Sequence, residues 1–205
     1  MLGWPETTFR EAVIRCERCD QDATLHITEA REYAAFGEAH LCEECARVYL
    51  ADPSLLTAVD RRAGGPHNKD REFQLDVVRL IISERDDHQV VVFREVGGRR
   101  SFPLVIGIYE ATSIDRRLKR ISAPRPLTHD AWLASLVALG AEIQSTGIDS
   151  LTGHIYFASL RLVQPGWFPR PISVDIRPSD AVMMALLANV PLYIPEQLLH
   201  EVTTE

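Results

Sequence analysis

Two hydrophobic periods alternate along the chain after residue 72. Phe73, Leu75 and Val77 alternate with Gln74 and Asp76, and the run stays apolar to Ile82, which predicts a long strand. Asp86-Asp87-His88 predicts a turn, residues 89–95 a second strand, Gly97-Gly98 another turn, and residues 101–108 a third strand. Together these form an antiparallel meander. The spacing then changes to three and four (Ile108, Ala111, Ile114, Leu118, Ile121), which predicts a helix. Pro124-Arg125-Pro126 interrupts it. Thr128 is a good N-cap for a helix over about residues 129–139, with Gly140 at its end. Residues 141–148 and 155–163 read as strands, 164–169 as a loop with exposed aromatics, and 173–176 as a half-buried strand. Pro178 suits the first turn of a helix, where Ser179 or Asp180 can accept from the free N–H groups. Residues 181–188 are so apolar that this helix should be buried nearly all round. Pro191 ends it, residues 192–194 form a short strand, and 195–200 a last helix. Strands with helices inserted between them predict an α+β fold with a mostly antiparallel or mixed sheet.

The first 60 residues follow a different logic. Cys16-Glu-Arg-Cys19 and Cys42-Glu-Glu-Cys45 hold all four cysteines, with 22 residues between the pairs. Each Cys-x-x-Cys turns two thiolates toward one point, and two such turns complete a tetrahedral Cys₄ site for structural Zn²⁺. Residues 23–28 alternate like a strand between them. His26 and His40 could supplement the ligands, but four Cys suffice and packing is the simpler role. A redox motif would need only one pair. This predicts a small zinc-ribbon-like module over 1–60, with a trailing helix from residue 46 broken near Asp52-Pro53. Polar, Gly- and Pro-bearing residues 61–71 form a linker, and the main domain spans 72–205.

Composition adds three constraints. An apolar share of 46% is that of a globular chain, no stretch approaches the roughly 20 apolar residues of a membrane span, and no secretory signal is visible, so a cytoplasmic location is expected. A net charge of −7 argues against nonspecific nucleic-acid binding. The charge is uneven, however. Residues 94–125 carry eight Lys and Arg against three acids, whereas residues 1–50 carry five Arg against ten acids. The basic segment reads either as a solvated helix face or as a strip for a polyanion. The acidic zinc module suits a protein partner.

Three polar clusters stand where loops or strands meet helices: Glu110; Arg125, Thr128, His129 and Asp130; and Asp175, Arg177, Ser179 and Asp180. Singly, each has a structural role open to it as cap, dipole complement or ion pair. Together they offer what phosphodiester cleavage needs: carboxylates for a divalent cation, a His to move a proton, and Arg beside a helix N-terminus to hold phosphate.

Phe102-Pro-Leu-Val-Ile-Gly-Ile-Tyr-Glu-Ala111, Arg125-Pro-Leu-Thr-His-Asp130 and Asp175-Ile-Arg-Pro-Ser-Asp-Ala181 resemble, in order, the signature blocks of the bifunctional nuclease domain family. The resemblance covers about residues 72–200. It implies an α+β domain that self-associates and a nuclease acting on DNA and RNA. Glu110, His129, Asp130, Asp175 and Asp180 are then the catalytic candidates, with Mg²⁺ or Mn²⁺ as candidate active-site ions. Arg116, Arg117, Arg120, Arg125, Arg177 and Ser179 are the substrate-binding candidates. The alternative is a non-catalytic regulator or adaptor that holds a protein partner through the zinc module.

Overall fold

The computed structural model describes residues 14–31, 35–51, 71–164 and 170–204. The chain enters with β1 (Leu25–Arg31) and β2 (Ala35–Leu41), an antiparallel pair, followed by α1 (Glu43–Leu50). Residues 61–70 of the expected 61–71 linker, and the break near Asp52-Pro53, lie outside the described residues. β3 (Glu72–Ser83), β4 (Gln89–Glu95) and β5 (Ser101–Ile106) form the expected meander. Then come α2 (Ile108–Leu118), α3 (Thr128–Ala138), β6 (Glu142–Thr152), β7 (Ile155–Gln164), β8 (Arg170–Ile176), α4 (Pro178–Ala188), β9 (Leu192–Pro195) and α5 (Glu196–Thr204).

The fold is α+β, with nine strands among the described residues in one mixed sheet. Every pairing is antiparallel except β6 with β9. The twelve-residue β3 organises it. β4 runs along one side of β3. On the other side β9 pairs with Glu72–Leu75 and β1 with Arg79–Ser83. The sheet therefore forks, with β1–β2 on one arm and β9–β6–β7–β8 on the other.

The core lies between the sheet and the helices α2, α4 and α5. Phe93, Phe102, Leu80, Ile114, Ile148, Ile194 and Leu199 are fully buried in it. Alternation explains β5, where Phe102, Leu104 and Ile106 face in while Pro103 and Val105 face out. α4 is buried from Ser179 to Ala185, apart from a half-buried Asp180, as its apolar run requires. Burying the five apolar side chains of that stretch at about 1.5–3 kcal/mol for each large one makes α4 a principal source of stability.

Three local readings change. Thr128 is the first helical residue of α3 rather than its cap, and the Asp130 carboxylate accepts from the Leu127 N–H at 2.8 Å instead. α4 stops at Asn189, which takes the left-handed conformation (φ 54°) two residues before Pro191. β8 is exposed along almost its whole length rather than half-buried, because α4 packs over β6 and β7 and not over this edge strand.

The segment from β1 to α1 is tied to the rest of the sheet by side chains as well as by the pairing of β1 with β3. Buried Arg79 pairs with Glu29, which also accepts from Tyr49 Oη at 2.8 Å. Thr28 donates to Asp115 on α2 at 2.7 Å, and Lys119 bridges Asp115 and Glu38. None of the helices among the described residues is long and apolar enough to cross a membrane.

Candidate active site and metal centre

α2 and α4 each begin just after a strand, so β5 and β8 deliver two helix N-termini to the same place. Gly107 caps α2 and Arg177 caps α4, both with extended backbones, and Glu110 and Asp180 stand in the respective first turns. Glu110 Oε1 accepts from Arg177 Nη1 at 2.7 Å. Asp180 takes Arg177 in a two-pronged bond, from Nε at 2.9 Å and Nη2 at 3.0 Å. Behind it, His129 Nε2 lies 3.0 Å from Asp180 Oδ1. A chain His129–Asp180–Arg177–Glu110 thus joins α3, α4 and α2. Burial pulls the Asp180 carboxyl up, but the bonds from Arg177 and His129 outweigh it and hold it below the usual carboxylate range. The bond to Asp180 raises Arg177 further, so its guanidinium is permanently charged.

Asp180, Arg177 and Glu110 line a cleft of about 810 Å³ between β5 and β8, the two strands at opposite ends of the domain's sheet. Both strands line it only because the sheet curls. Glu110, Asp175, Arg177, Ser179 and Asp180 form its polar wall, and Val105, Ile155, Phe157 and Val174 its apolar one. Arg177 remains 64% exposed at the side chain, with three of its five N–H groups bonded and two still open to a ligand. Asp175 is exposed in the cleft and makes no side-chain hydrogen bond or ion pair among the described residues. Ser179 is buried.

The other predicted residues lie elsewhere. His129 is behind Asp180 rather than on the cleft wall, and Asp130 is engaged with the start of its own helix. Arg116, Arg117 and Arg120 follow the far end of α2, about 9 Å or more along the axis from Glu110. Arg117 donates twice to the Leu186 carbonyl (3.1 and 3.0 Å) and so caps the end of α4. Arg120 and Arg125 are exposed and outside the cleft lining.

His154, Tyr156 and Phe157 are cleft residues that the sequence reading did not single out. His154 lies in, and Tyr156 and Phe157 follow, a two-residue hairpin in which Gly153 and His154 both have positive φ (54° and 67°). Gly153 after an alternating strand was the available signal for that turn.

The four cysteines meet at one point. Cys16 and Cys19 sit on the first turn, and Cys42 and Cys45 cap and open α1. All four sulfurs lie within 4.8 Å of one another, with Cys19–Cys42 at 3.6 Å and Cys19–Cys45 at 3.8 Å. A tetrahedron with metal–sulfur bonds of about 2.3 Å has edges of about 3.8 Å, so the site could hold a metal ion and is compatible with zinc. Burial raises the Cys16 thiol, but backbone N–H groups of Cys42, Arg18 and Cys19 outweigh it and bring it to about 6. The contact with Cys42, together with burial, pushes Cys45 up to about 12. A central cation is what would let all four ionise. His26 and His40 stay out of the cluster. Their Nδ1 atoms lie 2.7 Å apart across β1–β2, and His26 Nε2 meets Glu84 at 2.8 Å.

Comparison with known proteins agrees with the ordered blocks around the cleft. An uncharacterized protein of Mycobacterium tuberculosis is 34% identical over 126 residues, covering 62% of this chain and 73% of that protein. Bifunctional nuclease 1 of Oryza sativa subsp. japonica is 23% identical over 111 residues, 54% of this chain and 34% of that protein. Bifunctional nuclease 2 of the same rice is 24% identical over 118 residues, 57% and 36% respectively. The family model described as the bifunctional nuclease domain matches residues 91–205, from β4 through the cleft to α5, and the chain belongs to that family.

Proposed function

We propose that the chain is a nuclease that hydrolyses phosphodiester bonds of DNA and RNA in the β5–β8 cleft. The observation that carries this reading is the held guanidinium of Arg177, charged, fixed from both sides by Glu110 and Asp180, and still offering two N–H groups. Such a fork suits two oxygens of one phosphate. The N-terminus of α4 adds favourable potential for an anion. Asp175 is the cleft carboxylate available to take a proton from water as its oxygen adds to phosphorus. The P–O ester bond then breaks, and the leaving oxygen receives a proton, for which His154 is the cleft's candidate donor. Asp180 and Glu110 position Arg177, and His129 positions Asp180.

Mg²⁺ or Mn²⁺ fits this site in one way. Glu110 and Asp180 are already engaged by Arg177, so a cation would be carried by Asp175 and the substrate phosphate, and would supply charge stabilisation there. In the N-terminal module over 1–60, zinc would be structural, and its acidic surface suits a protein partner. The main domain over 72–205 would self-associate through α3. That helix is apolar nearly all round yet buries no residue, and Val137 and Leu139 are 64% and 78% exposed. A cytoplasmic location keeps the four thiols reduced and available to metal.

The test is cleavage of labelled DNA and RNA by purified protein, with and without Mg²⁺ or Mn²⁺, beside Asp175→Asn and Arg177→Met. Both variants should lose activity while keeping the wild-type circular dichroism. Background activity in the wild type under all metals, with a stoichiometric protein partner recovered by the zinc module, would establish the adaptor reading instead.

A further inference from the structure

The apolar wall of the cleft has chemistry that a phosphate clamp does not need. β7 pairs with β8 so that Ser159 faces Asp175. Ile155, Phe157 and Ser159 share one face of β7, because residues two apart in a strand do. The Phe157 ring therefore lies diagonally across from Asp175, at about 7–8 Å between backbones. Phe157 is 43% exposed and Ile155 62% exposed, although the core lies within reach of this sheet. Val174 on β8 and Val105 on β5 also line the cleft, at 37% and 56% exposure. Arg177 is the one Lys or Arg among the described residues that line the cleft.

A double helix would bring many phosphates to this cleft, and its affinity would need many cations. Its base faces are already stacked on each other and closed to an aromatic ring. An unpaired nucleotide presents one phosphate and an open base face. We infer that the cleft takes unpaired nucleic acid, with one base stacked on Phe157 while its phosphate is held by Arg177. This rests on the nuclease reading and deepens it, because it selects the strand state of the substrate. The carbocyclic face of Phe157 accepts any base, so the site reads single-strandedness rather than sequence.

Binding and cleavage separate the two ideas. A labelled, cleavage-resistant phosphorothioate oligonucleotide is titrated by fluorescence anisotropy, as a single strand and as a duplex of the same sequence. Wild type should bind the single strand at least about tenfold more tightly. Phe157→Leu, which keeps apolar bulk and removes the ring face, should weaken the single strand about 5- to 150-fold and leave the duplex unchanged. Phe157→Trp should retain wild-type affinity. Equal binding of both forms, binding of neither, or an unaffected Phe157→Leu would overturn the inference. Unmodified oligonucleotides then locate the fault: cleavage of both forms alike, indifferent to Phe157, leaves the nuclease reading standing, whereas no cleavage of either form removes it.

Discussion

Asp180→Asn isolates the hinge of the cleft. Asn keeps the volume and one acceptor oxygen but loses the charge and the second prong to Arg177. Three bonds converge on Asp180, two from Arg177 and one from His129. A bond to a charged group contributes about 1.5–3 kcal/mol when shielded from water. The Arg177 side chain is 64% exposed, so its share falls toward the 0–1 kcal/mol of a surface pair. His129 and Asp180 are 17% and 15% exposed at the side chain, so their contact keeps more of its value. The expected loss is about 1.5 kcal/mol, or about 3–6 °C in Tm for a chain of this size. The sign with pH follows from the depressed Asp180 carboxyl. Its contribution is fully present above the unfolded value of about 3.9 and is lost as pH falls through the lower folded value. Thermal unfolding of both proteins from pH 7 to pH 3 should show a constant gap down to about pH 5 that closes below pH 4. Acid also protonates the cysteines, but this affects both proteins alike and cancels in the gap. Cleavage at pH 7 should fall about 100-fold, because a guanidinium displaced by about 1 Å no longer fits the phosphate. A gap that is absent at pH 7, or that persists unchanged to pH 3, would refute the coupling.

Three further outcomes are expected. Arg79→Leu leaves Glu29 buried without its cation and should cost about 3–5 kcal/mol in urea denaturation, with Arg79→Leu/Glu29→Leu recovering most of it. Asn189→Ala places a Cβ-bearing residue at φ 54° without the amide that eases that conformation, and should lower stability by about 1 kcal/mol, whereas Asn189→Gly should match or slightly exceed wild type. Elemental analysis of wild type should find one bound metal per chain; Cys42→Ser should abolish it and should lower thermal stability to that of chelator-treated wild type.

Local chemistry accounts for most of what could be read without coordinates. Alternation set β3 and β4 almost to the residue, because inward and outward positions repeat every second residue whatever the sheet they join. Pro178 and the apolar run after it located α4, because proline suits a first helical turn and a continuous apolar run needs burial on all sides. β2 escaped notice because Ala35, Gly37 and Ala39 are too small to carry an alternating signal. Thr128 looked like a cap because that preference is statistical, while the Asp130 carboxylate satisfied the donor in its place.

The sequence by itself determined the paired cysteines that could hold a metal, the α+β class and the three polar blocks, since all of these depend on spacing within a few residues. Only the tertiary structure decided which polar groups work together. Glu110 and Arg177 are 67 residues apart, and His129 and Asp180 are 51 apart. They meet because the curled sheet brings β5 and β8 to one cleft. It also decided which cations keep donors open to a ligand: Arg177 lines the cleft with two N–H groups unbonded, whereas Arg117 is consumed by the Leu186 carbonyl and Lys119 by Asp115 and Glu38. Spacing along a chain records the pitch of a helix or strand, but the partner of a charge depends on how whole elements pack, and no local pattern encodes that.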